Sequence, residues 1–161
     1  MFNYKRIAVI GCSGAGKSTF SRVLAEKTGI PLYYLDMLYW KKDCTHLERI
    51  EFVKKQEEII NKSAWILDGN FRNTLELRIQ SAELVFFFDI PTELCIDGVK
   101  KRGVRPDMPC VLPADEKLIS AIKEFDLVCR PEILALLKKH RQCDVITFKS
   151  RAEADEYLAV L

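Results

Sequence analysis

The sequence predicts an α/β fold, a parallel sheet with helices packed on both faces. Three observations carry that expectation. Short apolar runs alternate with longer helical patterns along the whole chain. The first run, Ile7-Ala8-Val9-Ile10, is continuous rather than alternating, as suits a strand buried on both faces. The runs also end on turn or rim residues: Gly11, Asp36, Asp68-Gly69 and Pro91.

Taken in order, strands are expected at 7–10, 31–35, 65–67, 84–90 and 145–148. Helices are expected at 18–28, 47–60, 92–101, 114–125, 131–140 and 151–161. Phe20, Val23 and Leu24 share one face of the first helix, Gly29 ends it and Pro31 prevents its return. Ile50, Val53 and Ile60 recur at helical spacing in the second. The stretch 103–113 holds Gly103, Pro106, Pro109 and Pro113 and is the longest irregular piece. A loop of that length inside a compact domain points to function or motion, so 102–114 reads as a lid-like loop.

The chain has 161 residues, which suits one domain spanning 1–161. Hydrophobic residues make up 48%, enough for a core, and the net charge of +2 is too small to argue for nucleic acid. Lys100-Lys101-Arg102 with Arg105 is a local basic cluster, but no basic stripe or helix-turn-helix signal accompanies it. Six cysteines, Cys12, Cys44, Cys95, Cys110, Cys129 and Cys143, form no C-x-x-C pair. They read as reduced packing residues of a cytosolic chain. The N-terminus has no signal-peptide pattern, and its apolar run is too short to span a bilayer. The expectation is a soluble cytoplasmic protein with no membrane partner.

Gly11-Cys12-Ser13-Gly14-Ala15-Gly16-Lys17-Ser18 matches the pattern G-x-x-x-x-G-K-[ST], with a buried strand before it and a helix after it. Glycines let the backbone bend around a phosphate, and the helix that follows presents its positive end. Lys17 is expected on the β- and γ-phosphates, Ser18 on Mg²⁺ and Thr19 on the α-phosphate. This motif makes the fold a P-loop NTPase, with a five-stranded sheet in the order 2-3-1-4-5. The ligands it implies are ATP or a related nucleoside triphosphate, with Mg²⁺.

Asp68 ends the strand expected beside the P-loop strand, where a carboxylate can hold Mg²⁺ through water. An Asp-Gly turn is the plainer reading. Asp36, at the end of the second strand, lies on the rim where α/β sheets bind ligands. It can take a proton from a hydroxyl acceptor or cap the next segment. Tyr39 and Trp40 can line an acceptor pocket or pack beneath a loop. His46 and His140 have no partner at metal or triad spacing and read as surface residues.

Glu26-Lys27-Thr28-Gly29-Ile30-Pro31, Asp36-Met37-Leu38, Asp68-Gly69-Asn70-Phe71-Arg72 and Phe88-Asp89-Ile90-Pro91 together resemble the adenylate-kinase-like group of P-loop kinases over nearly the whole chain. Leu35-Asp36, Leu38-Tyr39-Trp40, Ile66-Leu67-Asp68-Gly69-Asn70 and Arg105-Pro106-Asp107-Met108 are most similar to its small "DNA topology modulation" proteins. The resemblance implies a phosphoryl donor of the ATP type. It implies Arg72, in the place of the D-G-F-P-R arginine, as a fork for an acceptor anion. Arg102 matches the group's lid-entry arginine; Arg102 and Arg105 flank the lid-like loop, where phosphoryl transfer calls for cations over the γ-phosphate. Arg78 is a weaker acceptor candidate, and Arg130 stands where the family places further arginines. Three positions depart from the group. Tyr39 replaces an arginine that holds AMP, Gly98 replaces one that flanks adenine, and the lid is short. These departures argue against AMP as acceptor.

Two functions follow as expectations. The first is a kinase that moves the γ-phosphoryl group of ATP to a small acceptor. The second is a nucleotide-dependent regulatory or DNA-associated ATPase. A closed acceptor cavity lined by Asp36, Tyr39 and Arg72 would mark the first, and a broad basic face the second.

Overall fold

The computed structural model describes residues 2–103, 108–110, 112 and 114–161. Five strands, β1 (Arg6–Gly11), β2 (Leu32–Tyr34), β3 (Trp65–Asp68), β4 (Leu84–Phe88) and β5 (Asp144–Phe148), form one sheet. All pairings are parallel and the order is β2-β3-β1-β4-β5. Ile7, Ala8, Val9 and Ile10 have no exposed surface, and β3 and β4 are buried along their whole length. The continuous apolar run therefore marks a central strand with cover on both faces. At the far edge, β5 is mostly exposed.

The helices are α1 (Lys17–Thr28), α2 (Leu35–Tyr39), α3 (Arg49–Ile60), α4 (Leu75–Ile79), α5 (Thr92–Arg102), α6 (Glu116–Lys139) and α7 (Arg151–Ala159), with a 3-10 turn at Arg72–Thr74. Phe20 of α1 packs edge-on against Phe86, Phe88 and Phe148 at 4.8, 5.3 and 5.4 Å between ring centres. Its aromatic contacts bind α1 to β4 and β5, so the helix that begins at the phosphate motif cannot shift alone.

Three expectations need correction. The two helices expected at 114–125 and 131–140 are one helix, α6, with Pro131 inside it. Proline removes one ladder bond. Here the loss is tolerated because Ile122 and Phe125 before it, and Ile133 after it, are buried. Arg130 also forks onto Asp89 at 2.7 and 2.9 Å, which pins the helix beside the proline. The second strand stops at Tyr34, so Asp36 sits in the first turn of α2 rather than on a strand. The segment from 71 to 79, given no element from the sequence, forms the 3-10 turn and α4.

The register explains why one rim matters. Val9 stands opposite Asp68, Tyr34 opposite Asp68, and Gly11 opposite Phe88. The carboxyl ends of β1, β2 and β3 thus lie side by side, and the phosphate loop, Asp36 and Asp68 emerge together. Among the described residues, no helix is long and apolar enough to cross a membrane.

Candidate active site

At that rim lies a cavity of about 700 Å³. One wall is the loop between β1 and α1, contributing Ser13, Gly14 and Gly16, continued by Lys17, Ser18 and Thr19 in the first turn of α1. Gly11, Gly14 and Gly16 have φ of 139°, 81° and 104°, the region where only glycine is unstrained. Gly14 is fixed by packing as well. A Cβ there would lie 2.1 Å from the Cys95 carbonyl oxygen of α5.

Lys17 Nζ donates to the Cys12 carbonyl at 2.7 Å, so its ammonium arches over the loop. Cys12 and Ala15 do not line the cavity. They are 2% and 0% exposed and hold the loop from beneath. The Cys12 thiol meets that of Cys95. This hydrogen bond, and then burial, push Cys12 far above the ordinary thiol range, so it stays a neutral packing group.

The opposite wall comes from the ends of β2 and β3. Asp36, Asp68, Gly69, Asn70 and Phe71 line it. Asp68 is 4% exposed. Asn70 Oδ1 is buried with no hydrogen-bond partner among the described residues. Phe71 has φ 27°, a strained value for a side chain other than glycine, at the mouth of the cavity.

Arg78 is what holds this wall in shape. It is fully buried and donates to the Gly69 carbonyl at 3.2 Å and to that of Asn70. It also bonds Gln56 Oε1 at 2.9 Å and Thr74 Oγ1 at 2.8 Å. Burial lowers its pKa to about 9, and the nearby Asp68 charge opposes that fall. It is therefore a buried cation beneath the Asp68-Gly69-Asn70 turn and does not reach the cavity.

The expected cations divide. Lys17 and Arg102 line the cavity. Arg72 does not; it pairs with Glu132 of α6 at an exposed position. Arg130 is held by Asp89, whose carboxyl is kept below the usual aspartate range by Arg130 first, with Lys149 adding to the effect. Arg105 lies outside the described residues, as do 104, 106, 107, 111 and 113 of the lid-like loop.

Tyr39 stands behind this second wall. Its ring stacks on His46 at 4.9 Å and packs against Phe52 and Phe71. His140, expected at the surface, meets Glu76 at 2.8 Å with a side chain only 14% exposed.

The cavity face of α7, with Arg151, Ala154 and Asp155, was not visible in the sequence. Arg151, at the start of α7, donates to the Gly14 and Leu94 carbonyls, each at 2.8 Å, and lines the cavity. A signal for it existed in Gly98. A Cβ there would lie 2.4 Å from the Gly14 oxygen and 2.6 Å from Arg151 Nη2. The missing side chain at 98 makes room for an arginine arriving from another helix. A capping pair fixes where α7 begins: Ser150 Oγ accepts from Glu153 N at 3.2 Å, and the Glu153 carboxylate accepts from Lys149 N at 2.7 Å.

No protein-family model matches the chain, and no curated protein matches it. Among solved structures it is similar to a shikimate kinase from Acinetobacter baumannii in complex with shikimate. The identity is 18%, over 97% of this chain and 92% of that one, with a TM-score of 0.64. A shikimate kinase from Aquifex aeolicus vf5 matches at 19% identity over 80% of this chain and 98% of that one. Its TM-score of 0.47 is too low to support an argument. At such identities the likeness speaks to architecture: this chain has the α/β P-loop fold of the shikimate kinases, with the five-stranded parallel sheet in the order 2-3-1-4-5.

Proposed function

We propose that this protein is a P-loop kinase that transfers the γ-phosphoryl group of ATP to a hydroxyl of a small acceptor. One observation carries the reading. The phosphate loop and a carboxylate wall face each other across a single cavity of a size suited to small molecules. A phosphate cradle alone would serve any P-loop ATPase. The opposing wall, with Asp36 on it, gives a second molecule a place to sit.

In this reading Gly14, Gly16, Lys17, Ser18 and Thr19 bind the donor phosphates. Gly11, Cys12, Ser13 and Ala15 set the loop's shape. Asp36 takes the proton of the acceptor hydroxyl as the new P–O bond forms. Arg102 adds positive charge where the transferred group builds negative charge, and Arg105 is proposed for the same task. Arg72 is proposed to reach an acceptor anion only by exchanging Glu132 for it. The Ser18 hydroxyl and the Asp68 carboxylate fit Mg²⁺, which takes a few hard oxygen donors from protein and the rest from phosphates and water. When bound, Mg²⁺ neutralises phosphate charge and orients the donor.

The resemblance to the adenylate-kinase-like group, and within it to the DNA topology modulation proteins, supports the donor half and leaves the acceptor open. Tyr39 is engaged with other rings and does not line the cavity, so it supplies no AMP clamp. We place the protein in the cytoplasm, where ATP·Mg²⁺ is at hand. A screen by phosphorus NMR tests the proposal: purified protein with ATP·Mg²⁺ against nucleosides, nucleoside monophosphates, hydroxy acids and amino alcohols. A new phosphomonoester signal that depends on one acceptor class supports a kinase. Release of inorganic phosphate alone, whatever the acceptor, favours the regulatory ATPase.

A further inference from the structure

Cys44 and Cys110 are separated by 66 residues, yet they are bonded as a disulfide with Cα atoms 5.5 Å apart. This corrects the expectation that all six cysteines are reduced. Cys44 lies in a tight turn between α2 and α3, and Cys110 in the connection between α5 and α6. The turn is closed on itself. Lys41 N donates to the Thr45 carbonyl at 2.8 Å, and the Asp43 carboxylate accepts from Thr45 N and Oγ1 at 3.0 and 2.6 Å. Cys44 has φ 61°, a conformation in which glycine or asparagine would be less strained. A cysteine at such a position calls for a reason in its sulfur.

The turn is also wired to the cavity. Trp40 and His46 bridge its base. His46 stacks on Tyr39, and Tyr39 packs against Phe71 at 4.9 Å, which lines the acceptor wall.

We propose that Cys44 and Cys110 form a reversible thiol–disulfide site whose oxidant is a small-molecule disulfide of the glutathione type. Cys44 is exposed and Cys110 is 8% exposed, which assigns the first attack to Cys44. The Cys44 thiolate attacks one sulfur of the small disulfide and releases a small thiolate, which takes up the proton Cys44 gave. The Cys110 thiolate then attacks the Cys44 sulfur of the mixed disulfide. The second small thiolate leaves with the Cys110 proton. Two protein thiols and one small disulfide become one protein disulfide and two small thiols. The other touching pair, Cys12 and Cys95, is 2% and 0% exposed and out of reach of such an oxidant. The closed bond joins the turn to the α5–α6 connection, restrains the acceptor wall through the ring contacts, and slows turnover. That last effect rests on the kinase reading; the chemistry at the two sulfurs does not.

The test uses the full chain equilibrated across glutathione buffers of graded redox poise, then quenched in acid, unfolded in guanidinium, alkylated, digested and weighed. Oxidising buffer is expected to yield a linked Cys44–Cys110 peptide pair that excess reduced glutathione separates, with the other four cysteines alkylated throughout. Hydrogen exchange at 40–47 is expected to slow several-fold in the oxidised form. Cys44→Ser and Cys110→Ser should show neither effect. The proposal is overturned by separate alkylation of Cys44 and Cys110 throughout, by a bond that survives excess glutathione, or by equal exchange in both forms. If neither redox form transfers phosphoryl groups, the kinase reading fails, while the peptide and exchange results still decide this one.

Discussion

The phosphate wall of the cavity is one continuous stretch of chain, the eight residues from Gly11 at the end of β1 to Ser18 in the first turn of α1, shaped by three glycines. The opposite wall, proposed for the acceptor, is assembled from Asp36 in the first turn of α2 and from the end of β3 with the turn after it, and it rests on Arg78, Tyr39 and Phe52. The first wall is local in sequence and rigid through contact with α5. The second is built from several separate elements and includes a strained Phe71. A local wall recognises what all its ligands share, the phosphate chain. An assembled wall can change its ligand through single substitutions, and under the proposed function acceptor specificity would reside there.

Breaking the phosphate wall should have the largest effect. Lys17→Ala removes the charge proposed to meet the donor phosphates and should cut turnover by about 10³-fold or more, with melting temperature nearly unchanged. Wild-type ATP affinity by calorimetry would contradict the assignment. On the opposite wall, Asp68→Asn keeps shape and removes charge. Turnover should fall by about 10²-fold, and nucleotide binding should lose most of its dependence on Mg²⁺. Binding that keeps its full Mg²⁺ dependence would make Asp68 a turn residue only.

Stability separates the walls as well. Arg78→Met would leave the Gly69 and Asn70 carbonyls and Gln56 without their buried donor. Leaving buried acceptors without a donor costs about 1–3 kcal/mol each, readable in urea denaturation. A loss below about 1 kcal/mol would mean water replaces the guanidinium.

The Asp89 cluster lies away from the cavity and should matter least. Asp89→Asn should cost about 1.5–3 kcal/mol at pH 7. Its folded carboxyl pKa is depressed, with Arg130 the leading cause. The stabilisation is therefore present above the ordinary aspartate value, about 3.9, and is lost as pH falls through the folded value. Wild type and variant should converge in melting temperature in strong acid. A difference that stays constant from pH 7 to 3 would assign the loss to packing.

How much of this was legible in the sequence follows the same division. Gly11 to Ser18 could be read because the motif acts through its own backbone, and the sheet could be read because central strands are apolar on both faces. Asp68 could be placed on the rim because it ends a strand, whereas Asp36 reaches the same cavity from the first turn of α2 and not from the strand end expected for it. Arg72 and Arg151 could not be sorted, since a surface pairing with Glu132 and a reach across to Gly14 exist only after α6 and α7 have packed. Pro131 was read as a helix boundary because the sequence does not show the buried flanks that carry α6 past it. The pairing of Cys44 with Cys110 depends on two connections meeting in space.

The claim that two walls serve two molecules is tested most directly at Asp36. Asp36→Asn should bind ATP·Mg²⁺ within about twofold of wild type by calorimetry. Its phosphoryl transfer to the acceptor found in the screen should be slower by about 10²–10⁴-fold, the range for loss of a general base. Transfer at the wild-type rate would contradict the assignment of Asp36, and a matching loss of ATP affinity would mean that the cavity serves the nucleotide alone.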